Sequence, residues 1–262
     1  MNANRYTALT SEVAASTRKF AIAAGVCYLI THVTSVAAPF LYGPVLNNSG
    51  YITGSSADTG VIVGAIFDVI CAMGIVGTAV ALFPVVKRQN EGIALGYVGL
   101  RTLEAGIIAV GALSILTAVT LRQMGASSDP ATLASLGTLC SALAGAYKWT
   151  AMLGPGLVCG VNTVLMAYLM YRSRLVPRFI PVLGLTGGPL VFAYNTAMMF
   201  GLADQIQAWA AILVIPIFAW EVSLAVRLIV KGFAPAALSA MSSRSTASAA
   251  ASTSPNELLG MA

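Results

Sequence analysis

The stretch GLRTLEAGII, Gly99 to Ile108, sets Arg101 and Glu104 three positions apart in otherwise apolar sequence. On a helix, positions i and i+3 share a face, so guanidinium and carboxylate can pair directly. Three more ionisable residues stand in equally apolar surroundings: His32 in LITHVTS, Asp68 in AIFDVIC and Glu221 in AWEVS. A guanidinium has five donors, which makes Asp68 the expected second acceptor for Arg101. One permanent cation then faces three carboxylates unless His32 is protonated, and an excess of buried negative charge is relieved by keeping a proton on one acid. Such a group is the working part of a proton relay or an intramembrane acid catalyst. Fully paired, it is equally a structural polar knot between helices. No metal and no cofactor is expected. His32 is the single histidine, Cys27, Cys71, Cys140 and Cys159 show no CxxC spacing, and zinc would need three or four ligands.

The elements that must hold these side chains follow from composition. The chain has 262 residues, 58% hydrophobic and only 9% charged, where a soluble domain carries about 25% charged residues. A helix crosses the bilayer core with about 20 apolar residues. Six runs qualify: Phe20 to Val45, Thr59 to Phe83, Gly92 to Leu121, Lys148 to Tyr171, Phe179 to Phe200 and Gln207 to Val230. The first is too long for a signal h-region and follows an acidic Glu12, so it reads as a retained span. The fold class expected is all-α, a polytopic bundle of six transmembrane helices. Residues 1–19 form an N-terminal tail, 20–233 the membrane domain, and 234–262 an Ala/Ser/Thr-rich tail of disordered composition.

Lys and Arg near span ends stay on the cytoplasmic side. Arg5, Arg18, Lys19, Lys87, Arg88, Arg172, Arg174, Arg178, Lys231 and Arg244 all fall on one side of the six-span topology, against Arg122 on the other. Both termini are therefore expected in the cytoplasm and the protein in the plasma membrane. The net charge of +5 is accounted for by this asymmetry, with no nucleic-acid partner implied. The partners expected are the lipid bilayer and a small apolar or ionic substrate.

Backbone features add detail. Asp129-Pro130 can start a helix over residues 131–147 that lies on the outer surface or extends span four outward. Pro39, Pro155, Pro189 and Pro216 each remove a helix hydrogen bond; Pro155 in LGPGLVCG and Pro189 in TGGPL, flanked by glycines, are the candidates for broken turns. Gly60/Gly64, Gly92/Gly96, Gly156/Gly160 and Gly184/Gly188 are each four apart, the spacing of close helix seams. The polar residues Asn162, Tyr194 and Asn195 lie in spans four and five.

Depth brings the ionisable groups together. Arg101 lies roughly 14 Å and Glu104 roughly 18 Å from the inner start of span three, Asp68 roughly 14 Å from the outer start of span two, and His32 roughly 18 Å along span one. All fall near the middle of a core about 30 Å thick, with Glu221 in the inner half of span six. A charge there costs at least about 2.5 to 3.5 kcal/mol on insertion scales, so these groups face inward and pair. Arg227 sits at the inner boundary and is expected to snorkel.

RKFAIAAGVCYLITHV (Arg18 to Val33), GLRTLEAGI (Gly99 to Ile107), LMYRSRLVPRFIPVLGL (Leu169 to Leu185) and WEVSLAVRLIVKGF (Trp220 to Phe233) together resemble the signatures of a bacterial membrane family, domain-of-unknown-function family 4386. The resemblance covers Arg18 to Phe233 and implies a six-helix integral membrane protein with no established reaction. Arg101, Glu104 and Glu221 match its pattern; Asp68 and His32 rest on depth alone. Three functional classes fit these features. A small-solute or proton-coupled transporter would use the acids near the midplane. An integral membrane enzyme acting on a lipid or isoprenoid would use Glu104 or Asp68 as acid and Glu221 as base or cation stabiliser. A membrane scaffold or sensor would need neither. With no nucleophile motif or phosphate loop in the sequence, transport is the favoured class.

Overall fold

The computed structural model describes the backbone of residues 3–47, 50–54, 58–126, 128–202, 208–241 and 243, and side chains within that set from 17 onward except 208–211. The described chain is helical: α1 (Ala3–Leu41), α2 (Gly43–Leu46), α3 (Asp58–Val86), α4 (Glu91–Gly125), α5 (Pro130–Ala151), a π-helical segment (Met152–Val158), α6 (Cys159–Ser173), α7 (Phe179–Met199) and α8 (Ala208–Val230). Among the described residues, five helical stretches are long and apolar enough to cross a membrane: Thr17–Leu41, Asp58–Val86, Glu91–Gly125, Pro130–Ser173 and Ile212–Val230. The expected fifth span, now α7, is not among them. Its 21 residues are diluted by Pro181, Gly184, Gly187, Gly188, Pro189, Tyr194 and Asn195. Large apolar side chains such as Val33, Phe40, Met73, Val80, Leu113 and Ile212 stand more than 60% exposed. That is the surface of a chain whose outer solvent is hydrocarbon.

Each long helix packs on its chain neighbour, α1 on α3, α3 on α4, α4 on α5 and α6, α6 on α7 and α7 on α8, and α8 returns to α1. The result is a closed ring with two large apolar cores at different heights and a small third cluster of Cys71, Ile75, Ala105 and Ile108 where α3 meets α4. The core at the level of the α8 C-terminus, termed inner as a label only, draws on α1, α3, α4, α6, α7 and α8, around Tyr28, Leu82, Tyr97, Met170, Trp220 and Leu228. The outer core, around Tyr42, Tyr51, Ile115, Val119 and Leu136, takes residues from α1 to α5 and none, among those described, from α7 or α8. Six helices thus pack together at one end, while at the other no described residue of α7 or α8 joins the core.

The six-helix end is pinned by backbone capping. Arg18 donates from Nη1 to the Leu228 carbonyl (2.8 Å) and from Nη2 to the Ile229 carbonyl (2.5 Å), satisfying acceptors that α8 leaves open at its C-terminus. Gly232 turns the chain there with φ +67°, and a Cβ at that residue would sit 3.1 Å from Nη1 of Arg18. The Ala234 N–H then donates to the Leu175 carbonyl (2.8 Å), tying the exit of α8 to the α6–α7 connection. Arg18→Ala is expected to lower unfolding free energy by about 1.5–3 kcal/mol, the range for hydrogen bonds to a charged group. Thermal unfolding in detergent reads this out, and an unmoved midpoint would show that the cap carries no weight.

Several expectations change. The packed chain does not end at 233. Residues 235–241 are helical, and Leu238 and Met241 are buried in the inner core; residues 244–262 of the expected disordered tail lie outside the described ones. The N-terminal 1–19 is no separate tail from Ala3 onward, because α1 runs unbroken from there into the first span. The outer segment and span four are one helical rod, Pro130–Ser173. At 44 residues and 1.5 Å each it is about 66 Å long, twice the bilayer core, so α5 and span four continue one into the other. Asp129 starts it as N-cap, accepting from the N–H groups of Ala131 and Thr132. The Thr132 hydroxyl, 2.7 Å away, and backbone N–H groups hold that carboxyl below the usual range.

Of the two prolines singled out, Pro155 does break the α-helix, into the π-helical segment. That segment's wider turn accommodates a ring with no N–H to give. Pro189 does not; α7 runs through it. The glycine seams divide likewise. Gly64, Gly156, Gly160, Gly184 and Gly188 are places where a Cβ would strike a neighbouring helix, whereas Gly60 faces open space and Gly92 and Gly96 have only ordinary contacts.

Candidate functional site

Between the two cores lies a polar layer centred on Arg101, only 3% exposed on α4. Its guanidinium is fully directed. Nε donates to the Tyr97 hydroxyl (3.1 Å), Nη1 to Glu104 Oε2 (3.3 Å) and Nη2 to Glu221 Oε1 (3.3 Å). Tyr97 is one turn before Arg101 on the same face. Its hydroxyl stands 3.1 Å from that of Tyr28, and the guanidinium carbon lies 5.3 and 5.6 Å from the Tyr28 and Tyr97 ring centres, within cation–π range. Glu104 Oε2 also accepts from Asn162 Nδ2 of α6 (2.7 Å), while Asn162 Oδ1, fully buried, has no partner among the described residues. Glu221 Oε2 is 3.4 Å from Nδ1 of His32 on α1. A continuous line of polar contacts, His32–Glu221–Arg101–Glu104–Asn162, joins α1, α8, α4 and α6.

Asp68 is not part of it. Only 6% exposed, it accepts from the Tyr42 hydroxyl at 2.8 Å and sits in the outer half with Tyr147 nearby. Equal depth along two helices fixes height but not direction, and Glu221 occupies the place on Arg101 that the sequence assigns to Asp68. Arg122, the outer cation, pairs with Asp58. Arg227 near the end of α8 is half-buried, with Nε and Nη1 buried and unpartnered among the described residues.

The charged layer floors a cavity of about 370 Å³. Its walls run outward from Ile75, Arg101 and Glu221 to Val36, Ile108 and Val214, and are mostly apolar. Tyr194 and Asn195 of α7 supply uncharged polar groups, and Phe218 packs its ring 4.7 Å from that of His32. A second space of about 150 Å³ holds Asp68 and shares Ser35, Cys71, Ile108, Ala151 and Pro155 with the first, so Asp68 stands along the outward route from the cluster. The π-helical segment forms part of the wall of both. Where the chain leaves regular α-helix it lines a cavity, as irregular backbone at membrane depth must. Behind the cavity floor, Arg101 lies against the rings of Tyr28 and Tyr97, which belong to the inner core.

Arg101, Glu104, Glu221 and His32 are therefore brought together, and Asp68 is placed apart. Tyr97, Tyr28, Tyr42 and Phe218 were not singled out in the sequence. Tyr97 carried a signal, being four positions before a buried arginine. Tyr42, in the segment that follows the first span, carried none.

The family model described as Domain of unknown function (DUF4386) matches residues 23–232, so the chain belongs to that family. No curated protein and no solved structure matches it.

Proposed function

We propose that this member of the DUF4386 family is a six-span bacterial plasma-membrane carrier, with α7 as the remaining span and both termini in the cytoplasm, that couples movement of a small solute to protons. One observation carries the reading: a solute-sized, largely apolar cavity whose floor is a buried network of one guanidinium, two carboxylates and one imidazole. Intramembrane ionisable groups facing a cavity are the usual parts of proton-coupled pathways. The alternating directions of successive helices and the basic residues gathered at the six-helix end support the orientation. A cavity backed at one end by a six-helix core suits one state of an alternating-access cycle.

Asn162 suits a site that changes protonation. Its amide nitrogen donates to Glu104 as carboxylate, and turned end for end its oxygen accepts from Glu104 as acid. Asp68, beside the outward route, is the outer proton acceptor.

The test is proton movement in proteoliposomes enclosing a pH-sensitive dye, challenged with a panel of anionic, cationic and neutral solutes. Wild type is expected to give solute-dependent pH change, and Glu104→Gln to reduce it at least about tenfold, since a proton-carrying acid is lost. Traces indistinguishable from empty vesicles across the panel would overturn the carrier. A changed lipid or isoprenoid extract on expression, lost in Glu104→Gln, would then favour the enzyme.

A further inference from the structure

We infer that the cavity takes a monovalent organic cation, a protonated amine with an aromatic or branched apolar body, which replaces a proton at the His32–Glu221 pair. This deepens the carrier reading and rests on it for its biological meaning, but the binding site stands or falls separately.

Charge comes first. With His32 neutral, the cluster contains one cation, Arg101, and two carboxylates, Glu104 and Glu221. The deficit of one positive charge is made up either by a proton or by a cation from outside. A single-sign excess at the base of a low-dielectric cleft concentrates the opposite ion. Asp68 along the same route adds to the negative field.

Accessibility then decides which group meets the ligand. Arg101 and Glu104 side chains are 3% and 4% exposed, whereas His32 and Glu221 are each 14% exposed. An incoming molecule therefore meets a carboxylate and an imidazole before it meets the guanidinium. Arg101 is also engaged by Tyr97, Glu104 and Glu221 and lies close to two tyrosine rings. An anionic ligand would have to expel one of its carboxylates. An ammonium instead completes Glu221, and the π face of Phe218 beside His32 adds attraction for a cation. Glu221 is faced by His32 of α1, Arg101 and Glu104 of α4, and, across the cavity, Cys71 of α3, Cys159 of α6 and Tyr194 of α7. Of these, Arg101 is the permanent cation.

The exchange balances. The ammonium keeps its own protons, the proton shared by His32 and Glu221 leaves to water, and the charge of the layer is unchanged. Proton and amine thus compete, and each turnover swaps one for the other.

Equilibrium dialysis of the purified full-length protein in detergent against radiolabelled 2-phenylethylammonium, with 3-phenylpropanoate and 2-phenylethanol as the anionic and neutral controls, tests this without requiring transport. The cation is expected to bind saturably at pH 8, about tenfold more weakly at pH 5, and to release a proton into weak buffer. The anion and the alcohol should show only unsaturable partition into micelles. Glu221→Gln should lose the cation site; if that variant does not fold, the wild-type pH comparison decides alone. Saturable binding of the anion, or none of the cation, overturns the inference. Cation binding without flux would leave this site standing and sink the carrier, while flux confined to anions or neutral solutes would do the reverse.

Discussion

Arg101→Ala is expected to destabilise the folded protein by about 3–5 kcal/mol, the cost of removing one partner from a buried ionic network. The substitution takes from Glu104 and Glu221 their shared cation in a layer between two apolar cores, and removes one donor from the Tyr97 hydroxyl. Glu104→Gln differs in kind. The Asn162 contact can be kept with an amide, Arg101 still has Glu221, and one excess negative charge is removed; a change of at most about 1 kcal/mol is expected. In the double variant the loss should be smaller than that of Arg101→Ala alone, because only one carboxylate is then stranded. Chemical unfolding in detergent of wild type, the two single variants and the double closes this cycle. A large loss in Glu104→Gln, coupled to that of Arg101→Ala, would make the network a structural clasp and remove the reason to assign it a function. Small loss or a gain would mean that Glu104 is retained at the expense of stability, as functional acids are.

That network was legible in the sequence because hydrocarbon makes charge conspicuous. An Arg and a Glu three apart in an apolar run have few places to go except toward each other, and Glu221 had to find a cation. The misassignment of Asp68 has an equally physical origin. Rise per residue gives height along a helix, but partner choice depends on azimuth, which three-dimensional packing sets; α3 turns Asp68 toward Tyr42 rather than Arg101. Proline could be read only in part. Pro155 lies inside a π-helical segment whereas Pro189 is absorbed by α7, although glycine flanks both. The end of the fold was misplaced because an Ala/Ser-rich composition outweighed two large apolar residues, Leu238 and Met241, whose spacing of three lets one face of a short helix reach the inner core. The cores above and below the polar layer, with no described residue of α7 or α8 in the outer one, had no sequence counterpart, since apolar positions on every face of a helix give no direction to packing.

Glycine spacing shows the same limit, and it supplies the second large effect: Gly188→Leu is expected to abolish the folded state under conditions where wild type is stable. A Cβ at Gly188 would lie 2.6 Å from the Gly160 carbonyl oxygen and 2.8 Å from Val164 Cγ2, and one at Gly160 would lie 2.8 Å from the Gly188 carbonyl oxygen. Backbone meets backbone where α6 crosses α7, so no side-chain rotation makes room. One residue earlier, a Cβ at Gly187 would fall 2.5 Å from the Ile217 nitrogen of α8. Adjacent glycines thus set α7 against both neighbours and fix the position from which Val191, Tyr194 and Asn195 line the cavity. Even Gly188→Ala should cost about 1–3 kcal/mol as overpacking. Gly99→Ala on α4 is the counterpart, for its Cβ meets nothing within 4 Å, and helix propensity alone should make it neutral or stabilising by up to about 1 kcal/mol. Unfolding midpoints of the three variants in one detergent decide the matter. Equal midpoints for Gly188→Ala and Gly99→Ala would show that α6 and α7 do not rely on that crossing, and the wall of the cavity would need another support.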